Sequence, residues 1–264
     1  MQSRMAQLAF GPLRFDLEML SAGDGPPLLF LHAIDGVEGA RELLARLSRR
    51  FTVHAPSHPG FGASSRPPEV TGISDLAFFY LDLLSHLDLR DVTLVGASFG
   101  GWIASEIMTR DCSRISRSVL AGPLGLLRTA NRANVLRDVF SLPAVEWPAA
   151  FCANPGRYLA PRRDMDAAQL LRIARNQEAA ALYGWSPYMA NARIAQRLHR
   201  ISKPTLLISG EADCIAPADY FAAYAAAIPG ARLHTVAGSG HLLHADAPEA
   251  FAEEVFAFCR ERSI

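Results

Sequence analysis

One ten-residue stretch, Val92-Thr-Leu-Val-Gly-Ala-Ser-Phe-Gly-Gly101, constrains the fold of this chain more than any other. It begins as a β-branched apolar run, which is typical of a buried strand, and it breaks at the glycine-rich turn 96–100. A helical apolar pattern follows over residues 102–110. A strand, a tight turn and a helix with a serine at the apex form the setting of a nucleophile elbow. The pattern also suits a glycine-rich helix cap with Ser98 as the N-cap, so the functional interpretation depends on an acid and a histidine further along.

Composition excludes several classes of protein. The chain has 264 residues, of which 50% are hydrophobic, enough for one large α/β domain with a sizeable core. Basic and acidic residues balance at 26 each, so neither a nucleic acid nor a membrane surface is expected as a partner. The four cysteines are scattered and lack zinc-ligand spacing, which predicts free thiols and no metal or other cofactor. With no secretory signal or long apolar segment visible, we expect a cytoplasmic protein.

Strands and helices alternate along most of the chain, which predicts an α/β fold with a mostly parallel sheet and helices on both faces. The predicted strands are 8–10, 13–20, 27–31, 51–55, 92–95, 115–120, 204–209 and 231–236, and the predicted helices are 40–50, 75–89, 102–110, 219–228 and 248–262. The alternation stops at residues 123–200, where helical pieces are broken by prolines. We expect this segment to be an inserted helical cap on a core made of residues 1–122 and 201–264.

Three loops that leave the carboxyl ends of predicted strands carry reactive side chains: Ser98, Asp213 and His241. A serine hydroxyl needs a base to take its proton, and the imidazole of His241 supplies one. Asp213 would fix the tautomer of that imidazole and stabilise its charged form. Glu211 is an alternative acid and His244 an alternative base, although His241 directly follows a flexible Gly-Ser-Gly segment and is preferred.

A tetrahedral oxyanion needs two N–H donors. One is expected from Phe99, which follows the nucleophile. The other is expected from the loop after the 27–31 strand, from Ile34 or, as the second choice, Ala33. His32 in the same loop is interpreted first as a structural histidine. The candidate pocket residues are His32, Trp185, Tyr188 and Leu242.

With these motifs in place, the chain resembles the α/β-hydrolase fold superfamily over nearly its whole length. The matching pieces are His32-Ala-Ile-Asp-Gly36, Ala55-Pro-Ser-His-Pro-Gly-Phe-Gly62, Gly96-Ala-Ser-Phe-Gly-Gly101, Gly210-Glu-Ala-Asp213 and Gly240-His241. The resemblance implies an eight-stranded sheet with one antiparallel strand and a lid inserted after the sixth strand. Two positions depart from the family pattern: Ala33 stands where the family usually has glycine, and Ser57 stands where it usually has aspartate.

The nucleophile narrows the chemistry that the resemblance implies. Haloalkane dehalogenases and epoxide hydrolases use an aspartate at the elbow, and this chain has Ser98. The first hypothesis is therefore a carboxylesterase, monomeric or homodimeric, that acts on a small or medium uncharged ester. The alternatives are a C–C bond hydrolase of ring-fission products and a non-catalytic ligand receptor on the same fold.

Overall fold

An eight-stranded sheet forms the centre of the computed structural model, which describes residues 1–127, 135–158 and 162–261. Its strands are β1 (Gln2–Phe10), β2 (Leu13–Ala22), β3 (Pro27–Leu31), β4 (Thr52–Pro56), β5 (Val92–Ala97), β6 (Ile115–Ala121), β9 (Thr205–Gly210) and β10 (Arg232–Val236). Two further strands, β7 (Gly125–Leu126) and β8 (Ala190–Asn191), pair with each other outside this sheet. The order across the large sheet is β1-β2-β4-β3-β5-β6-β9-β10.

The strand directions bring the loops of interest to one edge of the sheet. In the described sheet β2 is antiparallel to both of its neighbours, and every pairing from β4 to β10 is parallel. All six residues of β5 and of β9 are buried, as expected for central strands covered on both faces. Because parallel strands end at the same edge, the loops after β3, β5, β9 and β10 lie together there.

Helices cover the sheet in two groups. The helices are α1 (Arg41–Leu47), α2 (Ile73–His86), α3 (Phe99–Arg110), α4 (Trp147–Phe151), α5 (Ala167–Gly184), α6 (Ala218–Ala226), α7 (Leu243–Asp246) and α8 (Pro248–Arg260). α1 contacts α7 and α8, while α2 contacts α3. The predicted apolar stripe of α8 is buried at Phe251, Val255 and Phe258, which attaches this last helix to the core.

Element boundaries differ from the sequence prediction at several ends. The hairpin strands β1 and β2 are longer than predicted, and α1 ends at Leu47 rather than Arg50. α2 begins before the predicted cap, with Gly72 as its N-cap residue. Asp75 instead accepts the N–H of Gly72 at 2.9 Å, so its carboxylate satisfies a donor ahead of the first turn. The short helix α7 and the β7–β8 pair are additions to the predicted elements.

Residues 123–200, here called the insertion, lie between β6 and β9 and are anchored by buried polar contacts. Arg172 of α5 donates to Glu18 Oε2 at 2.7 Å, and the same oxygen accepts from the Ser57 hydroxyl at 2.9 Å and the Ala63 N–H at 3.0 Å. Burial by itself raises the pKa of Glu18, but these hydrogen bonds outweigh it and hold the pKa below its usual value. The serine that departs from the family pattern is therefore part of a structural cluster.

A second set of contacts joins α5 to the loops after β3 and β4. The buried Asn176 side chain donates to the Asp35 carbonyl at 3.0 Å and accepts the Gly62 N–H at 2.8 Å. Tyr183 donates its hydroxyl to the Pro59 carbonyl at 3.0 Å.

None of the helices described has both the length and the apolar character that crossing a bilayer would require.

Candidate active site

The Ser98 turn has the backbone strain that a nucleophile elbow needs. Ser98 lies between β5 and α3 with φ 52° and ψ −112°, a region that residues with a side chain rarely occupy. A Cβ built on Gly96 would lie 2.5 Å from the Gly100 carbonyl oxygen, and one built on Gly100 would lie 2.0 Å from the Leu31 carbonyl oxygen. Both glycines are therefore required by the close approach of the turn to its own helix and to the end of β3.

Ser98, His241 and Asp213 form one continuous hydrogen-bonded chain. The Ser98 Oγ lies 2.8 Å from His241 Nε2, and His241 Nδ1 lies 2.8 Å from Asp213 Oδ2. The other carboxylate oxygen of Asp213 accepts the N–H groups of Ile215 at 2.7 Å and Ala216 at 2.9 Å. The acid is thus held rigidly by its own loop, and all three side chains are buried. This arrangement suits proton transfer from the serine to an imidazole that a carboxylate orients.

The alternative acid and base have other partners. Glu211 accepts the Gly238 N–H at 3.0 Å and is exposed, so it braces the loop that leads to His241. His244 places its Nε2 3.0 Å from Asp35 Oδ2 and does not reach Ser98 through any described hydrogen bond.

Within the described ranges, no group of three or more His, Cys, Asp or Glu side chains is arranged to hold a metal ion.

The predicted oxyanion donors belong to two segments: Phe99 begins α3, and Ile34 and Ala33 lie in the loop after β3. Phe99 is the first residue of α3, so its N–H has no carbonyl one turn earlier in the helix and lies at the positive end of the helix dipole. The Ala33 carbonyl accepts the Gly36 N–H at 3.1 Å, which closes a tight turn around Ile34. Gly36 adopts φ 92°, a conformation that suits glycine. The assignment of Ile34 over Ala33 as second donor stays a prediction.

His32 is fully buried and has a structural environment. Its Nε2 accepts the His58 N–H at 2.9 Å, so its Nδ1 carries the proton and donates to the Ala33 carbonyl at 2.6 Å. The two imidazole rings stack with their centroids 3.7 Å apart. Burial lowers the pKa of His32 to about 4 and lowers the pKa of His58 well below its usual value, so both rings are neutral at pH 7. His32 supports the loop and does not line the cavity described next.

A small apolar cavity of about 10 Å³, room for roughly one water molecule, lies between the insertion and the loops of the triad. Its lining residues are Ile34, Leu124, Leu136, Val139, Phe151, Tyr188, Met189 and Ile215. Of the other predicted pocket residues, Trp185 is 64% exposed and packs on Phe140, away from the cavity, and Leu242 is buried without lining it. Tyr188 therefore lines this cavity and Trp185 does not, and a role of either residue in binding substrate stays a prediction.

The Tyr188 hydroxyl is fully engaged by the insertion itself. It donates to the Arg137 carbonyl at 2.7 Å and accepts the Val139 N–H at 2.8 Å. Burial raises the pKa of Tyr188 to about 12, so the phenol stays protonated at neutral pH. Tyr188 therefore presents its ring to the cavity and leaves the cavity wall apolar.

Sequence reasoning missed two residues that join the insertion to the histidine loop. The Phe151 ring lies 6.0 Å from the His241 ring between centroids, and the Phe151 carbonyl accepts the Leu242 N–H at 3.0 Å. Asp246 accepts three backbone N–H groups, those of Ala153, Asn154 and Gly240, at 2.7, 3.1 and 2.8 Å. The available signal was an aspartate five residues after a candidate catalytic histidine, but two of its three partners, Ala153 and Asn154, lie more than 90 residues away along the chain.

Comparison with known proteins gives one family. The model of the alpha/beta hydrolase family matches residues 28–254. The chain is 27% identical over 252 residues to a poly(3-hydroxyalkanoate) depolymerase of Ectopseudomonas oleovorans, covering 89% of this chain and 84% of that protein. It is also 27% identical over 267 residues to a 2-hydroxymuconate semialdehyde hydrolase of Pseudomonas sp. strain CF600, covering 91% and 89%. The structure of carboxylesterase CesB from Bacillus subtilis matches the fold with a TM-score of 0.75 at 20% identity, covering 98% of this chain and 92% of that one.

Proposed function

Because the chain belongs to the alpha/beta hydrolase family, we propose that it is a serine hydrolase that cleaves small or medium uncharged carboxylic esters through an acyl-enzyme. The observation that carries this proposal is the hydrogen-bonded chain from Asp213 through His241 to Ser98. A strained serine with a properly oriented base is the arrangement that nucleophilic acyl transfer requires. The similarity to a depolymerase, which is named for cleaving a polyester, supports an ester as the bond attacked.

In the acylation half-reaction, Ser98 Oγ attacks the ester carbonyl carbon while His241 Nε2 takes the hydroxyl proton. The carbonyl oxygen becomes an oxyanion, which the N–H groups of Phe99 and Ile34 stabilise. As the tetrahedral intermediate collapses, the bond to the alkoxy oxygen breaks and His241 returns the proton to that oxygen. An alcohol leaves, and the acyl group stays on Ser98.

In the deacylation half-reaction, water replaces the alcohol. His241 takes a proton from the water as its oxygen attacks the acyl carbon, and the same two N–H groups bind the second oxyanion. The Ser98 oxygen then leaves and recovers its proton from His241, which regenerates the enzyme and releases a carboxylic acid. Asp213 stabilises the imidazolium during both half-reactions without itself taking the proton.

The burial of Ser98 and His241 indicates what must move during turnover. Ser98 and His241 are each 1% exposed, so a substrate reaches them only when the roof opens. We assign this role to the insertion, which supplies Leu136, Val139 and Phe151 to the cavity wall. An apolar wall favours a hydrocarbon acyl chain, and we expect chains of roughly two to eight carbons to fit.

C–C bond hydrolysis is the alternative that the second relative raises. Such a reaction on a ring-fission dienoate would need a cation to hold the substrate carboxylate. The cavity-lining side chains in the described part of the chain include no cation. Arg193 and Arg200 of the insertion are exposed, and Arg200 donates to the Thr109 carbonyl at 2.8 Å. These placements favour the ester.

Steady-state kinetics on two substrate sets test the proposal. We expect turnover of p-nitrophenyl esters with short acyl chains and negligible turnover of ring-fission dienoates, with every activity lost in Ser98→Ala. A kcat/KM larger for a dienoate than for every ester would make the protein a C–C hydrolase. Absence of turnover on both sets, with Ser98 still reactive towards a fluorophosphonate, would favour a ligand receptor.

A further inference from the structure

A second histidine–carboxylate pair is buried beside the site and takes no part in the mechanism above. His244 Nε2 lies 3.0 Å from Asp35 Oδ2, and the two side chains are 1% and 2% exposed. Asp35 directly follows Ile34, the predicted oxyanion donor. His244 follows the proposed base, His241, by three residues. The pair therefore links the two loops that the chemistry needs.

Burying this polar pair carries a cost in folding free energy. Asp35 Oδ1 and His244 Nδ1 are buried and have no hydrogen-bond partner among the described residues. Burying polar atoms without partners destabilises a fold, and apolar side chains of similar size would avoid that loss. A Cβ on Gly39 would lie 2.0 Å from Asp35 Oδ2, so the neighbouring chain also has to leave room for the carboxylate.

The contacts of Asp35 determine how the oxyanion loop is held. Its carbonyl accepts from the Asn176 side chain at 3.0 Å, and its carboxylate accepts from His244. The tight turn from Ala33 to Gly36 closes the loop on the other side. The residue after Ile34 is thus held at both its backbone carbonyl and its side chain. The Ala33 carbonyl, which shares a peptide group with the Ile34 N–H, is held by the Gly36 N–H at the other side of the same turn.

The other end of the pair is equally well fixed. His244 lies in α7, a single helical turn that begins two residues after His241. Asp246, at the end of the same turn, binds the Gly240 N–H and two N–H groups of the insertion. α7 therefore supports three segments: the loop that carries His241, the insertion, and, through Asp35, the loop that carries Ile34.

We propose that Asp35 and His244 are positioning residues that hold the Ile34 N–H in the oxyanion hole, at a fixed position relative to the base His241, which lies just before the helical turn of His244. This inference rests on the proposed acyl-transfer function. Neither residue exchanges a proton with substrate. The pair acts by keeping one hydrogen-bond donor where the oxyanion forms, and small displacements of such a donor have large effects on rate.

The test compares two His244 variants. His244→Gln keeps an N–H donor near the position of Nε2, whereas His244→Leu has a similar volume and no donor. The readouts are kcat and KM on a p-nitrophenyl ester and the second-order rate constant for labelling of Ser98 by an alkyl fluorophosphonate, whose phosphoryl oxygen also occupies the oxyanion hole. We expect His244→Leu to lower both kcat and the labelling rate by about 10- to 100-fold, with KM changed less than about threefold. His244→Gln should recover most of the loss.

Three further measurements separate positioning from loss of structure. Asp35→Leu should lower the rates as much as His244→Leu, and the double variant should lose no more than either single one, because the pair acts as a unit. The pH limb of kcat/KM should stay in place, because His241 still serves as base. Tyr224→Phe, which removes a buried hydrogen bond between α6 and Ser105 of α3, should lose stability without losing rate.

Each outcome decides between the alternatives. Equal rates for wild type and His244→Leu, additive losses in the double variant, or a shifted pH limb would overturn the positioning role. Should His244→Leu fail to fold, His244→Asn, which is polar but too short to reach Asp35, takes its place with the same expected losses. If no ester is turned over while Ser98 is labelled, the ester proposal fails, and the labelling rates still test the positioning role.

Discussion

This protein has two buried histidine–carboxylate pairs. They differ in the partners of the ring nitrogen and the carboxylate oxygen that do not join the pair. The triad pair is Asp213 and His241, with 2.8 Å between nitrogen and oxygen, and the loop pair is Asp35 and His244, with 3.0 Å. The second ring nitrogen of His241 lies against Ser98, whereas that of His244 has no partner among the described residues. Similar distances and burial therefore do not by themselves make a base.

The carboxylates differ in the same way. Asp213 has its second oxygen saturated by two backbone N–H groups, while the second oxygen of Asp35 has no described partner. A fully bonded carboxylate holds its histidine in one orientation, which proton transfer requires. The carboxylate of the loop pair has one described hydrogen-bond partner, the His244 ring, which suits a structural support rather than proton transfer. The predictions below test this division of roles in order of expected effect.

Ser98→Ala should give the largest effect, because it removes the hydroxyl that the triad pair activates as a nucleophile. We expect kcat for ester hydrolysis to fall by about 10⁴-fold or more while the protein keeps its fold, leaving only binding and oxyanion effects. Ser105→Ala is the matched control, since Ser105 is a buried serine of α3, the helix that follows Ser98, and its hydroxyl donates to the Gly101 carbonyl. Steady-state kinetics and circular dichroism on both variants check the prediction. Turnover by Ser98→Ala close to wild type would exclude Ser98 as nucleophile.

Asp213→Asn should come next, with a loss of roughly 10³- to 10⁴-fold in kcat, because an amide stabilises the wrong tautomer of His241. Glu211→Gln is the control two residues away, and its side chain accepts the N–H of the exposed Gly238. We expect it to change kcat by less than about threefold. The reverse result, a damaged Glu211→Gln and a healthy Asp213→Asn, would show that the acid is misassigned.

His32 and His58 are buried histidines that bond to backbone groups and to each other rather than to a carboxylate, so burial is the main influence on how they respond to pH. Burial holds the pKa of His32 at about 4, below the 6.5 of an unfolded chain, so between these values the unfolded state binds a proton that the folded state does not. Stability must then fall as pH drops below 6.5. From His32 alone we expect a loss of about 2 kcal/mol in the free energy of unfolding between pH 7.5 and pH 5.

Urea unfolding at the two pH values measures this loss. In His32→Gln the dependence on pH should be weaker by that amount, because the titrating group is gone. His199→Gln changes an exposed histidine and should leave the dependence as in wild type. The range ends at pH 5 so that Glu18, whose lowered pKa matters only below about 4.5, does not contribute. An identical dependence on pH in His32→Gln and wild type would contradict the buried neutral histidine.

The smallest predicted effect concerns the roof of the cavity. Val139→Ala removes two methyl groups from the wall, which should favour longer acyl chains. We expect the ratio of kcat/KM for an eight-carbon ester to that for a four-carbon ester to rise by about 5- to 30-fold. Val145→Ala makes the same change in the insertion at a side chain that is 84% exposed, and it should leave the ratio unaltered. Equal ratios in the two variants would mean that the acyl chain binds elsewhere.

Local patterns predicted most of the core. The β-branched run before Gly96 predicted β5, and Ser98, Asp213 and His241 were each predicted in a loop that follows a strand. Helix ends were less predictable, because they depend on which side chain satisfies the first N–H groups. At α2 the predicted cap region was correct within three residues, but Asp75 bonds backward to Gly72.

Contacts between distant segments were beyond reach of local patterns. Asp35 and His244 are 209 residues apart, and the sequence around either residue does not predict a contact with the other. Trp185 was placed in the pocket because aromatic residues cluster around it, yet the direction of its side chain depends on how the insertion turns after α5. The bond from Asn176 to the Asp35 carbonyl likewise depends on how α5 lies across the loop.

Peptide mass spectrometry of a trapped acyl-enzyme tests the central claim most directly. Wild-type protein mixed with p-nitrophenyl butyrate and quenched in acid during the burst should carry one butyryl group per chain, on the peptide that contains Ser98. Under the same conditions His241→Ala should show none, and His244→Leu should show the same site acylated more slowly. A butyryl group on another nucleophile, such as the exposed Cys214, with Ser98 unmodified, would contradict the account.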